Sequence, residues 1–272
     1  MALYQGRALR DDRPRRPTGR LRRIARVLGM LALLALLAHL PWQGLRRRLG
    51  VVTRIDVEGV HYVPSERVLA IAGLAPGQDL FSLELDRARQ ALLLHPRVAG
   101  AVVEHRWLRG LRVRIQERLP VLLVQHGVPW ELDSAGVLLA PLQPGVVADV
   151  PLLTGPRFDA LPAGAQIRSE PVARGLAWAQ ALAERELQLS GRVSEVDVSD
   201  PSSTGLTLLG GTRVLAPAWP PGTRRLSALR VVLADLERRG TVAEQVDLRF
   251  ENQVIVQPLE GPKIPRDGPR KG

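Results

Sequence analysis

Five histidines are the side chains most able to hold a metal ion in this sequence, and their spacing decides whether they do. They are His39, His61, His95, His105 and His126. No two are four residues apart, and the HExxH pattern that places two zinc ligands on one helix face is absent. The chain has no cysteine, which excludes a thiolate metal site and a disulfide framework. The sequence therefore argues against a metal centre.

Nucleophile and phosphate-binding motifs are missing as well. The sequence contains no GxSxG elbow and no glycine-rich phosphate loop. Gly210 and Gly211 fit a hairpin turn, and Ser194 and Asp197 lie in an alternating strand pattern typical of a solvated sheet face. We therefore expect no enzyme activity, no cofactor and no small-molecule substrate. The enzymatic alternative is an exported, membrane-anchored hydrolase, which convergent polar side chains in a deep pocket would support.

The positive charge of the chain is concentrated at its N-terminus. The net charge is +11, and residues 1–50 contain 12 of the 38 basic and two of the 27 acidic side chains. That segment is therefore +10 and the remaining 222 residues are +1. Because the folded part is nearly neutral, we expect no nucleic-acid binding.

Residues 27–45, VLGMLALLALLAHLPWQGL, form a long apolar segment. As a helix these residues would span about 28 Å, close to the ~30 Å of a bilayer core. Nine arginines precede the segment and three follow it, which favours a cytoplasmic N-terminus and exported C-terminal domains. We therefore expect a disordered basic leader at 1–26 and an inner-membrane anchor at 27–45. The alternative is a cleaved signal peptide, although no small-x-small cleavage site lies near Ala38.

Residues 51–120 have the pattern of a small β-α-α-β-β module. Ile55 and Val57 alternate with charged side chains, as in a half-buried strand that ends at Gly59. Ser65 is the expected cap of a first helix, which Gly73 ends. The remaining elements are a helix that begins at Ser82 and ends at His95, and strands at 102–107 and 111–116 that meet at Arg109 and Gly110.

Residues 121–258 predict a second αβ domain with an extended, mostly antiparallel sheet and two helices. The fold class is therefore α+β. Helices are expected at 170–189 and 223–239. Residues 259–272 are rich in proline, glycine and charge, and predict a flexible tail.

The second domain closes on VAEQVDLRFENQVIVQP. In this segment Val246, Leu248 and Phe250 alternate with Asp247, Arg249 and Glu251, which predicts a strand with one buried face. A turn at Glu251 and Asn252 would lead to a last strand at 254–256. Core packing is the favoured interpretation for Val246, Leu248 and Val256. Phe250 could be core or a binding residue, and Arg249 could be a solvated strand residue.

Two of these segments resemble the FtsQ/DivIB family of bacterial cell-division proteins. VTRIDVEGVHYVPSERV followed by WLRGLRVRIQERLPV is similar to the family's POTRA domain, whose last strand ends in Glu-Arg-x-Pro, as at 117–120 here. The VDLR-aromatic sequence at 246–250 is similar to the family's C-terminal segment. Leu108 and Arg109 stand where the family often has proline after the tryptophan, a departure that affects the hairpin turn.

The resemblance implies a non-enzymatic, single-pass scaffold of the division septum that controls septal peptidoglycan synthesis. Its implied partners are FtsB- and FtsL-like membrane proteins, of which the first adds a strand near the C-terminal segment. The matching positions are Arg249, Phe250, Asn252, Gln253 and Val254. The alternative is a POTRA-containing component of protein translocation or envelope assembly, a role that usually involves repeated POTRA units or a membrane barrel.

Overall fold

The computed structural model describes residues 18–39, 50–106, 109–143, 145–157 and 161–259. Its first element is helix α1 (Thr18–His39). Within those ranges, no helix is long and apolar enough to cross a membrane. Several sequence predictions lie partly or wholly outside the described residues: most of the 1–26 leader, the end of the 27–45 anchor, Trp107 and Leu108, and most of the 259–272 tail.

A three-stranded sheet follows α1, with strands β1 (Arg54–Glu58), β2 (Val98–Arg106) and β3 (Gly110–Glu117). Its spatial order is β1-β3-β2, with β1 parallel and β2 antiparallel to β3. The predicted order of elements is therefore confirmed, because both helices lie between β1 and β2 in the sequence.

The two helices of this unit are α2 (Ser65–Ala72) and α3 (Leu85–Leu93). α2 ends at Gly73 in the left-handed conformation (φ 66°), as predicted. The prediction that Ser65 caps α2 is wrong: Pro64 holds the N-cap position and no side chain caps the helix. α3 begins later than predicted because the amide and hydroxyl of Ser82 both donate to the Asp79 carbonyl in a turn.

The helices cover one face of the small sheet and bury its alternating apolar residues. Leu92 of α3 and Leu111 and Val113 of β3 have no solvent exposure. Gly59, which follows β1, has a φ of 83°, and a Cβ there would lie 2.0 Å from the Ile115 carbonyl oxygen. Only glycine therefore fits at this turn.

A nine-stranded sheet forms the second unit, in the order β12-β11-β10-β9-β8-β7-β4-β5-β6. Five of its eight neighbouring strand pairs are antiparallel, as predicted. Its strands are β4 (Pro120–His126), β5 (Val128–Asp133), β6 (Leu138–Leu139), β7 (Leu152–Thr154), β8 (Val193–Asp197), β9 (Ser203–Leu208), β10 (Arg213–Pro217), β11 (Ala243–Asp247) and β12 (Ile255–Pro258).

Helices α4 (Glu170–Leu182) and α5 (Thr223–Arg238) pack in one core with this sheet. α4 is shorter than the predicted 170–189 helix. Gln188 has a φ of 50°, which no α-helix accommodates, and the chain there buries Leu187 and Leu189 without helical geometry. These two leucines are therefore buried by a turn that follows α4 and not by a longer helix.

Two ion pairs join the units. Arg97, between α3 and β2, donates from Nη2 to Oε2 of Glu131 on β5 at 2.6 Å, and both side chains are at most 5% exposed. Arg118, which follows β3, donates to Asp133 at the end of β5 at 2.7 Å. The two units therefore meet through buried charge as well as through the short connection between β3 and β4.

Candidate partner-binding site

The C-terminal strand β12 lies at the edge of the large sheet, as the strand-addition hypothesis requires. It pairs on one side with β11, with Val256 opposite Val246. Leu259 donates its N–H to the Val242 carbonyl and so faces β11. Since backbone groups alternate along a strand, those of Val256 and Pro258 point away from the sheet. Proline has no N–H, so this edge offers few donors to an added strand.

Arg249 is fixed against the end of β11 by Asp247. Its Nε donates to Asp247 Oδ1 at 3.0 Å, its Nη2 donates to Oδ2 at 2.7 Å, and its backbone N–H donates to Oδ1 at 2.9 Å. These hydrogen bonds, the guanidinium ones first, lower the pKa of the Asp247 carboxyl. Asp247 is on the polar side of the alternating pattern, yet it is only 7% exposed. Its burial is compensated by the three hydrogen bonds that it accepts from Arg249.

Phe250 lies outside the strand in which its alternation placed it. β11 ends at Asp247, the Leu248 N–H donates to the Leu215 carbonyl of β10, and residues 249–254 lie outside the strands. Leu248 is fully buried, whereas Phe250 is 44% exposed and so is Ile255, the first residue of β12. Two large apolar side chains are thus accessible beside the open edge. The last strand begins at Ile255 rather than at Val254 and extends to Pro258.

The predicted site residues form a single continuous segment that leads into β12. Asn252, Gln253 and Val254 line one wall of a groove of about 560 Å³, and residues of α5 form the other wall. Asn252 and Gln253 are exposed and Val254 is half-buried. The structure therefore brings these three residues together with α5, and leaves Arg249 and Phe250 at the end of β11.

Sequence reasoning missed the α5 wall and an exposed tryptophan. The wall consists of Arg224, Arg225, Ala228 and Val232. Trp219 follows β10 and is 49% exposed. Because β10 and β11 are parallel, Trp219 and Phe250 both lie at the sheet end where these strands finish. An aromatic residue followed by two prolines was the available signal for Trp219.

The polar residues first considered for catalysis have structural roles. Ser194 donates to the Thr207 carbonyl, Asp197 accepts from the backbone and hydroxyl of Ser199, and His126 Nε2 accepts from the Leu161 N–H at 3.1 Å. In the described part of the chain, no three histidine or acidic side chains are grouped to hold a metal. A groove of about 860 Å³ beside α4 is lined mainly by alanine, leucine, valine and proline.

Two family models match the chain, one on each sheet. "POTRA domain, FtsQ-type" matches residues 52–118, and "Cell division protein FtsQ/DivIB, C-terminal" matches residues 122–249. The second match ends at Arg249, so the segment from Phe250 to Val254 lies beyond it. The α+β architecture is therefore a POTRA domain followed by the C-terminal domain of this family.

Curated relatives agree with the family models. Proteins named cell division protein FtsQ are 27% identical in Syntrophotalea carbinolica (76% of this chain, 73% of that protein), 30% in Anaeromyxobacter sp. strain K (77% and 71%) and 31% in Rhodothermus marinus (76% and 77%). With likeness of this extent across both domains, the chain belongs to the FtsQ/DivIB family of cell division proteins.

Proposed function

We propose that this protein is a non-enzymatic scaffold of the division septum. It binds FtsB- and FtsL-like single-pass proteins, links early and late division proteins, and controls septal peptidoglycan synthesis. One observation supports this most directly: the short edge strand β12 lies beside the exposed side chains of Phe250 and Ile255. An edge supplies main-chain hydrogen bonds for affinity, and adjacent side chains supply selectivity.

The proposed contact surface consists of Arg249, Phe250, Asn252, Gln253 and Val254. Phe250 supplies the aromatic anchor that dominates many interfaces. Asp247 holds Arg249 in place, so a partner carboxylate meets a guanidinium that has already lost most of its side-chain freedom. The proposed surface thus combines a strand acceptor, an aromatic residue and a pre-positioned charge.

The proposed topology places the N-terminus in the cytoplasm and the two domains outside the inner membrane. Residues 27–45 serve as the anchor, 51–120 as the POTRA domain, 121–258 as the C-terminal domain and 259–272 as a tail. The arginine excess before the apolar segment supports this orientation. Partners with their own anchors in the same membrane reach β12 at high effective concentration, so modest affinity is sufficient.

The test is localisation and complementation in dividing cells. We expect a copy with an N-terminal fluorescent tag to form a midcell band at constriction, because the tag stays cytoplasmic in this topology. A Phe250→Asp copy should reach the membrane at the same level but fail to support division after depletion of the native protein. The control is Leu94→Asp, at a more exposed apolar residue that directly follows α3, in the other domain from β12. Uniform membrane signal throughout the cell cycle would refute the septal assignment.

A further inference from the structure

The groove between α5 and the segment before β12 has a distinct chemistry. It is lined by the apolar side chains of Ala228, Val232 and Val254 and by Arg224 and Arg225 at the start of α5. Its remaining side chains, on the wall opposite α5, are those of Glu251, Asn252 and Gln253. We call this the arginine groove. It adjoins β12, since Val254 immediately precedes that strand. A segment paired with β12 therefore has a short path into the groove.

The two arginines lie where a helix least favours them. They are in the first turn of α5, which has no acidic residue, and the N-cap residue Gly222 offers no side-chain hydrogen bond. The N-terminal end of a helix has partial positive charge, so cations there destabilise it and carboxylates stabilise it. A sequence that breaks such a local rule commonly does so at a functional site.

Two arginines at the other end of the helix are neutralised. Arg238 in the last turn and the C-cap residue Arg239 lie 2.9 and 2.8 Å from the carboxylate of Asp235, whereas Arg230 in the middle of the helix has no ion pair among the described residues. Likewise, no carboxylate of the described residues lies within 4.0 Å of Arg224 or Arg225. The first turn of α5 therefore presents two arginines that form no ion pair within the described residues, and the groove remains net positive with Glu251 on its opposite wall.

We propose that the arginine groove binds an acidic stretch of the partner segment that adds to β12. This inference rests on the proposed function, because the partner strand brings the acidic residues to the groove. The bound stretch has carboxylates opposite Arg224 and Arg225 and apolar side chains against Ala228 and Val232. Its carboxylates also occupy the positive end of α5, where the helix dipole favours anions.

This arrangement predicts how binding depends on charge. Partner affinity should fall as salt is raised from 50 to 500 mM, because exposed charge pairs are screened. Replacing Arg224 and Arg225 with glutamate should weaken binding at least about tenfold and flatten the salt dependence, since charge complementarity governs association. The same replacement introduces acids in the first turn of α5, so the variant should melt no lower than the parent protein. Loss of binding would thus not result from unfolding.

The experiment uses the full chain in lipid nanodiscs and the FtsB-like protein of the same organism as the probe. Dissociation constants are measured for the parent, for Arg224→Glu/Arg225→Glu, and for the matched control Arg238→Glu/Arg239→Glu on the last turn of α5. We expect the control to bind within about twofold of the parent. A probe whose acidic residues are changed to lysine should restore binding to the first variant and lose it with the parent.

The outcomes separate the two proposals. If the parent protein does not bind the probe, the proposed function is wrong, and the proposal that the arginine groove binds an acidic stretch of this partner fails with it. If the parent and Arg224→Glu/Arg225→Glu bind the probe equally well, with the same salt dependence, the proposed function stands. The proposal that the arginine groove binds an acidic stretch of the partner is then refuted. Equal loss in both arginine pairs would indicate a general charge effect and would also refute the groove.

Discussion

The pair of Asp247 and Arg249 shows how single residues build this surface. The carboxylate is nearly buried and accepts from both the guanidinium and the backbone N–H of the same arginine. The chain after β11 is therefore held in a fixed turn, and that turn presents Phe250 to solvent. The acid is a positioning residue whose substitution should disturb the whole segment.

The lowered pKa of Asp247 gives a prediction at this scale. In Arg249→Ala the pKa of Asp247 should rise towards its ordinary value, because the guanidinium hydrogen bond is the largest cause of the lowering. A depressed folded-state pKa adds stability above the unfolded value near 4, which is lost as pH falls through the folded value. The stability difference between parent and variant should therefore be present at pH 7 and shrink below about pH 4.

The measurement is a carboxyl-carbon NMR titration of Asp247 together with urea unfolding at pH 7 and pH 3. Arg249→Lys, which keeps the charge and loses the two-point hydrogen bond, should fall between parent and Arg249→Ala. An unchanged titration midpoint in Arg249→Ala would mean that Arg249 does not set the ionisation of Asp247.

The edge strand β12 gives a prediction at the scale of elements. The backbone of Val256 points away from β11, so Val256→Pro should remove a donor to an added strand while leaving the internal ladder intact. We expect partner affinity to fall up to about tenfold, the value of the one hydrogen bond that is lost. Val256→Ala loses the same side chain but keeps the N–H, and should bind within about threefold of the parent.

Binding is measured with the FtsB-like protein, and melting is followed for both variants. If Val256→Pro and Val256→Ala bind equally, the partner does not use this backbone position, and strand addition at β12 is contradicted.

Helix α4 provides a packing prediction. Gly175 faces β7, and a Cβ there would lie 2.4 Å from Cδ1 of Leu153, which is 2% exposed. Alanine normally stabilises a helix interior by about 1 kcal/mol relative to glycine, but overpacking a closed core costs about 1–3 kcal/mol. Gly175→Ala should therefore destabilise the protein by about 1 kcal/mol in urea unfolding. The control is Gly191→Ala, which should change stability little because a Cβ there meets nothing within 4 Å. If Gly175→Ala were more stable than the parent, Leu153 would have to move freely to make room for the added methyl group.

At the scale of the whole molecule, the junction between domains is built on a buried charge. The guanidinium of Arg97 donates to Glu131 and to the Ala140 carbonyl, and lies over the Tyr62 ring at 5.4 Å. It therefore contacts both domains. A rigid junction fixes the distance from the POTRA domain to β12, which matters in the proposed topology, where the protein and its partners are anchored in one membrane.

Removing one partner of this pair should be costly. Glu131→Gln leaves the buried Arg97 without its carboxylate and should lower the free energy of unfolding by about 3 kcal/mol. The double variant Arg97→Met/Glu131→Met should recover most of that loss, because an apolar pair needs no compensation. Glu58→Gln, in an exposed ion-pair cluster of the small sheet, is the control and should change stability by less than about 1 kcal/mol.

Urea unfolding measures these free energies, and small-angle X-ray scattering reports the spacing of the two domains. We expect Glu131→Gln to broaden the distance distribution at urea concentrations where both domains remain folded. A Glu131→Gln protein as stable as the Glu58→Gln control would show that the pair does not hold the junction.

The two domains differ in how their details could be predicted. The alternation of apolar and polar residues correctly predicted strand β3, and Gly73 correctly predicted the end of α2. Both features depend only on a few adjacent residues. The predicted end of α4 was wrong because Leu187 and Leu189 are buried by a turn and not by continuation of the helix. The alternation left Phe250 open between core and surface, and it lies at the surface because β11 ends at Asp247, where Arg249 is held by that carboxylate.

Residue patterns were sufficient to predict the order of elements, the α+β class, the family resemblance and the segment that leads into the last strand. Tertiary structure alone decided that β12 is an edge, that Arg224 and Arg225 face this segment across a groove, and that Arg97 is buried against Glu131. The physical reason is the separation along the chain of the residues that interact. Helix and strand periods follow from neighbouring residues, whereas an edge, a groove and an interdomain ion pair depend on which distant elements the core brings together.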